Sequence, residues 1–310
     1  MWFCLLYKIY LTKYGRRRHY NQLKDIEKPH VEPYQSLHFG KPGEGIEIKI
    51  VPFLEDNYGY ILIDETSDCV AFVDAADPEK FDEYMDYFNL TKVDVILTTH
   101  KHWDHAAGNY ILARKFPEAK IYGSADDSPD GCTDLLEDGD KINFGKWTIE
   151  GYLTPCHTVG HMIYVIRDIE AETIAFTGDF LFMASCGMFF EGTATHMQRC
   201  FDKFLEVCPP ETSLLYGHEY ALDDLKFAVY VDPDNEAAHD KLAEAEKWAE
   251  EHKVWLPGTI KEELTFNPFL RANTKPILEI TDKEDKIEAL SVLRKWKDAK
   301  KHTKQNKKAI

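Results

Sequence analysis

The chain has 310 residues, of which 44% are hydrophobic and 29% are charged. These fractions are ordinary for a globular protein, and they exclude a fibrous or largely disordered chain. No apolar stretch approaches the roughly 20 residues that a membrane-spanning helix needs. The length allows one large domain with an extension and a sizeable buried core.

The formal net charge of -17 argues against a general nucleic-acid binder, because phosphate backbones are held by clustered Lys and Arg. The charge is unevenly placed, since both ends of the chain are basic and the middle is strongly acidic. From Arg294 onward the only acidic residue is Asp298, among eight Lys and Arg. Because acidic residues outnumber basic ones in the chain as a whole, we expect no nucleic-acid partner.

The N-terminal 45 residues differ from the rest in composition. No acidic residue precedes Asp25. The same stretch contains aromatic residues and the basic cluster Arg16 to Arg18. The apolar segment Met1 to Tyr7 is followed, and not preceded, by basic residues. A secretory signal has its basic residues before the apolar segment, so this order disfavours one. A mitochondrial targeting segment, a short membrane-surface anchor and a disordered tail remain equally open.

The first half of the chain, from Ile46, predicts short strands alternating with turns and helices. Asp77 is a plausible N-cap, with Pro78 at the first helical position. The mostly apolar strand 93–97 is expected to be buried on both faces. The predicted strands are 46–51, 60–64, 71–74, 93–97 and 120–123, and the predicted helices are 78–89 and 109–116.

The second half predicts further strands and then a helical extension. Strands in both halves indicate two sheets packed face to face with helices outside. Asp232-Pro233 marks a break, after which two Lys- and Glu-rich helices follow, so the part from about Leu222 is helical. The predicted strands are 141–144, 147–153, 162–166, 173–176 and 213–216, and the predicted helices are 236–253 and 284–300.

The segment Thr98-Thr99-His100-Lys101-His102-Trp103-Asp104-His105 follows a predicted buried strand. If the chain leaves that strand extended, alternation points His100, His102 and Asp104 to one side, and His105 turns inward at the next helix. Imidazole and carboxylate together suit zinc, iron or manganese. No cysteine falls within the cluster, so a catalytic site with open positions is favoured over a structural one.

Three further candidates follow β-rich runs and lie beside Gly or Pro, as expected where a loop brings a side chain to a metal. His157 stands in Thr-Pro-Cys-His-Thr, Asp179 in Phe-Thr-Gly-Asp, and His218 in Tyr-Gly-His-Glu-Tyr. Taken singly, each is more often a loop histidine or a turn residue. Together with the cluster they complete a set of seven candidate ligands.

The order T-H-x-H-x-D-H, then His, Asp and His, is similar to that of the metallo-β-lactamase superfamily. Within it the chain resembles the glyoxalase II (hydroxyacylglutathione hydrolase) family from about Glu47 to Lys275. The more specific motifs are Gly192-Thr193-Ala194 and Phe266-Asn267-Pro268-Phe269-Leu270-Arg271.

The resemblance implies an α/β fold, a four-layer αββα metallo-β-lactamase sandwich with a helical C-terminal extension. It divides the chain into a basic N-terminal segment (1–45), a metallo-β-lactamase domain (46–221) and a helical substrate-binding domain with a basic tail (222–310).

The resemblance also implies how the ligands are shared. His100, His102 and His157 would hold one metal ion, Asp104, His105 and His218 a second, and Asp179 would bridge them. Zinc is the expected metal, with iron and manganese as alternatives. Two such ions sharing a hydroxide supply a nucleophile at neutral pH and stabilise an oxyanion.

The implied reaction is hydrolysis of a thiolester, S-2-hydroxyacylglutathione such as S-D-lactoylglutathione, to glutathione and a 2-hydroxy acid. Asp104 and Asp179 would be the catalytic carboxylates, Asp104 by orienting the hydroxide while it ligates. A thioester carbonyl suits this chemistry because its thiolate leaves easily, and no separate Ser or Cys nucleophile is needed.

Three residues match family positions that contact glutathione, namely Tyr220, Arg271 and Lys275, the last two binding its glycyl carboxylate. An ordinary solvated face is the alternative for the two cations. The family's Lys and Tyr in the segment Cys-Gly-Lys-Phe-Tyr are Met188 and Phe190 here. Losing one hydrogen bond to a charged group costs roughly 1.5–3 kcal/mol, so we expect a weaker or altered thioesterase.

Two other functions are left open. One is a mononuclear iron persulfide dioxygenase of the same superfamily, which the helical C-terminal part disfavours. The other is a membrane-associated interaction protein with weak hydrolase activity, suggested by the N-terminus and by Met188 and Phe190.

Location and assembly are less constrained by the sequence. The seven cysteines are odd in number and scattered, with no C-x-x-C pair, which predicts a reduced intracellular compartment. The cytoplasm and the mitochondrion are both open, as is peripheral membrane contact through the N-terminus. The oligomeric state is left open as well.

Overall fold

The computed structural model describes residues 34–167, 172–251, 253 and 256–299. The interpretations of residues 1–33 and of the tail 300–310 lie outside the described residues. Within the described ranges the chain forms two compact units, residues 34–153 with 160–167 and residues 154–159 with 172–299. None of the described helices is long and apolar enough to cross a membrane.

The first unit contains a seven-stranded sheet whose strands follow one another in chain order. They are β1 (Ser36–Phe39), β2 (Ile46–Phe53), β3 (Asn57–Asp64), β4 (Cys69–Val73), β5 (Val95–Leu97), β6 (Lys120–Ser124) and β7 (Asp134–Leu136). The pairs from β1 to β4 are antiparallel, and those from β4 to β7 are parallel. The parallel half brings the carboxyl ends of β4, β5 and β6 to one edge.

The helices of the first unit are α1 (Pro78–Tyr87), α2 (Trp103–Ala106) and α3 (Asn109–Lys115). The Asp77 side chain accepts from the backbone N–H of Lys80 at 3.3 Å, which confirms the predicted N-cap. α1 buries Phe81 against Phe72 of β4, with ring centroids 4.8 Å apart. Burying a side chain of this size stabilises the fold by about 1.5–3 kcal/mol.

Three antiparallel strands complete the first unit: β8 (Lys141–Phe144), β9 (Trp147–Leu153) and β10 (Met162–Arg167). The turn between β8 and β9 contains Gly145 with a φ of 56°. A Cβ there would lie 1.9 Å from Oδ2 of Asp64, so only glycine can occupy the position. The first five residues of β10 are all buried, and the predicted strand at 162–166 is confirmed.

The second unit is built on β11 (Thr173–Gly178) and β14 (Ser213–Tyr216), which pair parallel. A short β15 (Gly258–Thr259) pairs antiparallel with β14. β12 (Leu181–Phe182) and β13 (Ser185–Cys186) form a small hairpin. Because β11 and β14 are parallel neighbours, the residues that follow them lie at the same edge.

The described helices of the second unit are α4 (Ala194–Val207), α5 (Ala221–Val231), α6 (Glu236–Glu250), α7 (Ile260–Phe266), α8 (Lys275–Thr281) and α9 (Lys286–Asp298). The predicted long helices correspond to α6 and α9. α4 was not predicted, although Met197, Cys200, Phe201 and Phe204 recur at helical spacing and are buried. Every predicted strand and helix lies within three residues of an observed one at each end.

Candidate metal centre

The loop that follows β5 carries four of the predicted ligands. His100, His102 and His105 are buried in it. His102 has an extended backbone (φ −63°, ψ 145°) and α2 begins at the next residue, Trp103. The prediction that Asp104 continues the extended alternation is therefore wrong, because Asp104 and His105 share a helical turn.

The donors on this loop approach one another as two pairs. Nε2 of His100 lies 2.9 Å from Nδ1 of His102. Nε2 of His105 lies 3.7 Å from Oδ2 of Asp104. The side-chain amide of Asn57 donates to Oδ2 and to the backbone carbonyl of Asp104, both at 3.3 Å, and so orients this carboxylate.

Asp74, which the sequence analysis did not single out, orients two of these histidines. Its Oδ2 lies 2.8 Å from Nδ1 of His105 and accepts from the Thr99 hydroxyl at 2.8 Å. The Thr99 oxygen lies 3.1 Å from Nδ1 of His100. Since the Thr99 proton points to Asp74, Nδ1 of His100 must donate to the Thr99 oxygen.

These contacts decide which ring nitrogen remains available. A histidine that donates from Nδ1 to a carboxylate or hydroxyl keeps its lone pair on Nε2, as in the carboxylate–histidine pairs that support metal ligands. His100 and His105 therefore both present Nε2. The sequence signal for Asp74 is its position directly after β4, because β4 is the parallel neighbour of β5.

A second buried carboxylate supports the backbone of the loop. Oδ2 of Asp127 accepts from the N–H of Lys101 at 3.1 Å, and Oδ1 accepts from the N–H of Gly160 at 2.8 Å. Lys101 stands between His100 and His102, so Asp127 holds the backbone between two candidate ligands.

The second unit brings its three predicted ligands together around Asp179. Oδ2 of Asp179 lies 3.2 Å from Nε2 of His157, and Oδ1 lies 3.3 Å from Nε2 of His218. Asp179 follows β11 and His218 follows β14. A Cβ on Gly217 would lie 2.8 Å from Oδ1 of Asp179, so the glycine allows the two strand ends to approach this closely.

The donor chemistry of this trio fits a cation. Nδ1 of His157 lies 3.0 Å from the carbonyl oxygen of Met188, an acceptor, so the ring must donate from Nδ1. In a neutral ring Nε2 then carries a lone pair that faces the carboxylate of Asp179 at 3.2 Å. Two lone pairs at that distance repel, and a bound cation removes the repulsion.

Tyr220, the candidate substrate-binding tyrosine, lies beside this trio. Its ring stacks on His218 with centroids 4.9 Å apart and an interplanar angle of 5°. Phe182 packs edge-on against Tyr220 at 5.1 Å and against His218 at 5.9 Å. An aromatic surface therefore lies next to one candidate ligand.

Arg271 and Lys275 lie elsewhere in the second unit. Arg271 donates to Oδ2 of Asp232 at 2.7 Å, just after the end of α5. Tyr220 precedes the start of α5, whose 11 residues span about 16 Å at roughly 1.5 Å per residue. Arg271 therefore lies at the opposite end of α5 from Tyr220. Lys275 is 84% exposed and lies 3.6 Å from Glu279.

Two cations of the basic C-terminal stretch, Arg294 and Lys297, are buried near the trio. Nη1 of Arg294 donates to the carbonyl of Cys186 at 2.7 Å, two residues before Met188. Lys297 contacts Asp223 and Asp224 in the first turn of α5. The available signal was the helical spacing of Leu290, Leu293, Arg294 and Lys297 on one face of α9.

The chain matches two protein families and several known proteins. Residues 57–225 match the metallo-beta-lactamase superfamily, and residues 219–300 match the family described as hydroxyacylglutathione hydrolase C-terminus. A cytoplasmic hydroxyacylglutathione hydrolase of Arabidopsis thaliana is 41% identical over 80% of this chain and 96% of its own length. The chain belongs to the hydroxyacylglutathione hydrolase family.

A second relative supports the family assignment, and a solved structure supports the fold. A hydroxyacylglutathione hydrolase-like protein of Gallus gallus is 38% identical over 84% of this chain and 92% of its own length. The crystal structure of ETHE1 from Myxococcus xanthus has a TM-score of 0.56 at 18% identity, covering 84% of this chain and 90% of that one. The latter likeness concerns the fold alone.

Family membership confirms several predictions. The fold is the mixed α/β metallo-β-lactamase fold with a helical C-terminal region, as predicted. As a member of the hydroxyacylglutathione hydrolase family, the chain is a metal-dependent hydrolase. Its His and Asp donors suit a divalent metal.

A buried carboxyl in this hydrolase connects three elements near the trio. Oε2 of Glu263 on α7 accepts from the Ala184 N–H at 2.9 Å and from the Asn267 amide at 2.7 Å. Its Oε1 accepts from the Tyr216 hydroxyl at 3.0 Å. Ala184 lies in the β12–β13 hairpin, and Tyr216 ends β14 two residues before His218. Glu263 thus ties α7 to both segments.

We predict that Glu263→Gln changes how stability depends on pH. Burial raises the pKa of Glu263 to about 8 from 4.5, although its hydrogen bonds lower it. Between these values the unfolded chain releases a proton that the folded chain keeps, so the wild type loses stability as pH rises from about 4.5 to 8. The advantage in melting temperature of wild type over Glu263→Gln should therefore shrink across that range.

Glu262→Gln is the matched control for this measurement. Although partial burial raises the pKa of Glu262, hydrogen bonds from Lys241 and Thr259 outweigh it and lower the pKa. The Glu262 carboxylate stabilises the fold above its ordinary pKa, and this stabilisation is lost as pH falls. The advantage in melting temperature of wild type over Glu262→Gln should therefore grow as pH rises. Parallel pH profiles for the two variants would contradict the neutral, buried state of Glu263.

Proposed function

We propose that the chain hydrolyses S-2-hydroxyacylglutathione, such as S-D-lactoylglutathione, to glutathione and a 2-hydroxy acid. The observation that carries the proposal is the complete set of seven His and Asp donors, in which three histidines are held in ligating tautomers by Asp74, Thr99 and the Met188 carbonyl. Relatives that bear the name of this hydrolase at 41% and 38% identity support the substrate class.

The proposed ligands form two sets. His100, His102, His157 and Asp179 would hold one ion, and Asp104, His105 and His218 would hold the other. Asp179 would also serve the second set through its other oxygen, because its two oxygens face His157 and His218 separately. Zinc is the proposed metal, and iron or manganese would use the same donors.

The two ions would lower the pKa of a water and stabilise negative charge on the attacked carbonyl oxygen. The chain's own groups do the rest. Asn57 fixes Asp104, which can hold the attacking water by accepting its hydrogen bond. Tyr220, stacked on His218, offers a face and a hydroxyl to the substrate. The C–S bond breaks, and the thiolate takes up the proton that the water gives.

The proposed domain division follows the sequence analysis. Residues 46–221 would carry the hydrolase chemistry, and residues 222–310 would bind substrate through Arg271 and Lys275, with residues 1–45 as a separate segment. The two family matches, which end at 225 and begin at 219, support a boundary near 221. The described cysteines are all free thiols, which supports an intracellular location.

The test is hydrolysis of S-D-lactoylglutathione by the purified full-length chain, with metal content measured on the same sample. We expect release of glutathione and about two divalent ions per chain, as in two-metal hydrolytic sites. Two ions without turnover would contradict the substrate assignment and leave other thioesters. One iron per chain with oxygen uptake would instead revive the dioxygenase.

A further inference from the structure

Residues 187–193 form a segment that passes close to two members of the trio. A Cβ on Gly187 would lie 1.8 Å from the carbonyl oxygen of Asp179 and 3.0 Å from Nδ1 of His157, so glycine allows the backbone to pass here. The next residue, Met188, supplies the carbonyl oxygen that accepts from Nδ1 of His157 at 3.0 Å. The start of the segment therefore contacts the candidate ligand whose tautomer it fixes.

The same segment holds the loop of residues 154–159, which carries His157. Oε2 of Glu191 accepts from the backbone N–H of Val159 at 2.8 Å. The backbone N–H of Glu191 donates to the carbonyl of Cys156 at 3.2 Å. Glu191 therefore bonds the loop on both sides of His157.

Helix α4 fixes the far end of the segment through the motif Gly192-Thr193-Ala194. A Cβ on Gly192 would lie 2.6 Å from Cα of Cys156, so this glycine lets the segment and the loop pack backbone against backbone. Sγ of Cys156 donates at 3.4 Å to the carbonyl of Thr193, the N-cap residue of α4. α4 buries one of its faces, so the backbone at Glu191 lies next to a firmly packed helix.

The hydrogen bond that sets the tautomer of His157 depends on the position of this loop. A shift of the loop by about 0.6 Å away from Met188 would lengthen the contact from 3.0 Å to about 3.6 Å, which is no longer a hydrogen bond. The ring proton would then be free to move to Nε2, and the lone pair that faces Asp179 would be lost. The bond from Val159 to Glu191 opposes such a shift.

We infer that Glu191 is a positioning residue of the metal centre. By accepting from the backbone N–H of Val159, its side chain keeps His157 against the Met188 carbonyl and so in the tautomer that presents Nε2. Since the partner is a backbone N–H, this role needs an acceptor oxygen at the reach of a glutamate side chain and not a charge. The inference rests on the proposed role of His157 as a ligand of the hydrolase.

The experiment titrates zinc into the metal-free full-length chain and compares three variants of Glu191. Glu191→Gln keeps an acceptor oxygen at the same reach without the charge, and we expect a loss of less than about fivefold in zinc affinity. Glu191→Asp keeps the charge, but its side chain is one methylene too short, and Glu191→Ala has no acceptor. For both we expect about a 10–100-fold loss, mainly for the ion that His157 would hold.

Nitrogen-15 NMR of the metal-free chain reports the tautomer directly. The His157 resonances are identified by their loss in His157→Gln. In wild type and in Glu191→Gln, His157 should carry its proton on Nδ1, whereas Glu191→Ala should show both tautomers. This measurement depends neither on turnover nor on bound metal.

Asp285→Ala is the matched control. Asp285 is another carboxylate of the second unit that accepts from a backbone N–H, that of Ile287 at 2.8 Å. It caps α9, so its loss should lower the melting temperature. The zinc affinity and the His157 tautomer should stay unchanged.

The possible failures are distinguishable. If His157→Gln bound both zinc ions as tightly as wild type, the proposed ligand set would fail and the inference with it. If His157→Gln lost zinc but the Glu191 variants kept the wild-type affinity and tautomer, the inference alone would fail. A larger loss in Glu191→Gln than in Glu191→Asp would mean that the charge of Glu191 acts and not its reach, which also contradicts the inference. That order decides the question even if Glu191→Ala folds poorly.

Discussion

Asp179→Ala is expected to lower metal content and turnover together, with a loss in kcat/KM of more than about 100-fold. Asp179 is the residue on which His157 and His218 converge, at 3.2 and 3.3 Å. Loss of a side chain that merely orients a ligand typically costs about 10–100-fold in metal affinity or activity, and a shared ligand should cost more. Metal per folded chain and kcat/KM with S-D-lactoylglutathione measure the two effects.

Arg271→Ala is the matched comparison for this variant. It removes a charged side chain of the same unit that is bonded to Asp232 at the far end of α5. We expect unchanged metal content and mainly a rise in KM, by less than about tenfold. If Asp179→Ala kept its full metal content and activity, the assignment of Asp179 as a shared ligand would be wrong.

The candidate ligands were predictable because their signal is local. His100, His102, Asp104 and His105 fall within six residues, and few structures other than a metal site require such density. The local conformation was only partly predictable. His100 and His102 face one another as the alternation predicts, but α2 begins at Trp103 and changes the direction of Asp104.

Residues whose role depends on distant partners were missed. Asp74 is 31 residues from His105, and its contact exists because β4 and β5 pair in parallel, which the one-dimensional pattern does not specify. Lys297 belongs to the basic stretch at the end of the chain, where the local charge gives no sign of burial. Its burial depends on Asp223, 74 residues earlier in the chain, and its true environment could not be inferred from local charge.

The fold shows the same division between local and distant determinants. The long helix α6 was predictable, since its Ala and Glu residues favour helix and Asn235 caps it. The two-residue strands β12, β13 and β15 were not, because they are too short for an alternating pattern. Strands in both halves already indicated two packed sheets with helices outside, and the family resemblance added the name of the four-layer fold.

Asp74→Asn is expected to reduce metal affinity and kcat/KM by about 10–100-fold without removing any ligand. Asp74 accepts from His105, from the Thr99 hydroxyl at 2.8 Å and from the Thr99 N–H at 2.8 Å. An asparagine has one acceptor oxygen, so its NH₂ group takes the place of either Oδ2 or Oδ1. In the place of Oδ2 it faces His105 Nδ1 and the Thr99 hydroxyl, and it releases His105 and His100 from the tautomers that present Nε2; in the place of Oδ1 it opposes the Thr99 N–H and displaces the backbone beside His100. Metal titration of the apo-protein, followed by kcat/KM, measures the effect.

Asp64→Asn separates this effect from a general loss of stability. Asp64 is also a buried aspartate of the first sheet, but its oxygens accept from Thr66, Ser67 and the Lys146 N–H. It should lower the melting temperature and leave metal affinity per folded chain unchanged. Equal losses of metal affinity in the two variants would mean that Asp74 acts only through the fold. If only Asp74→Asn lost metal affinity, the Asp74 carboxylate would be the group that fixes the histidine tautomers.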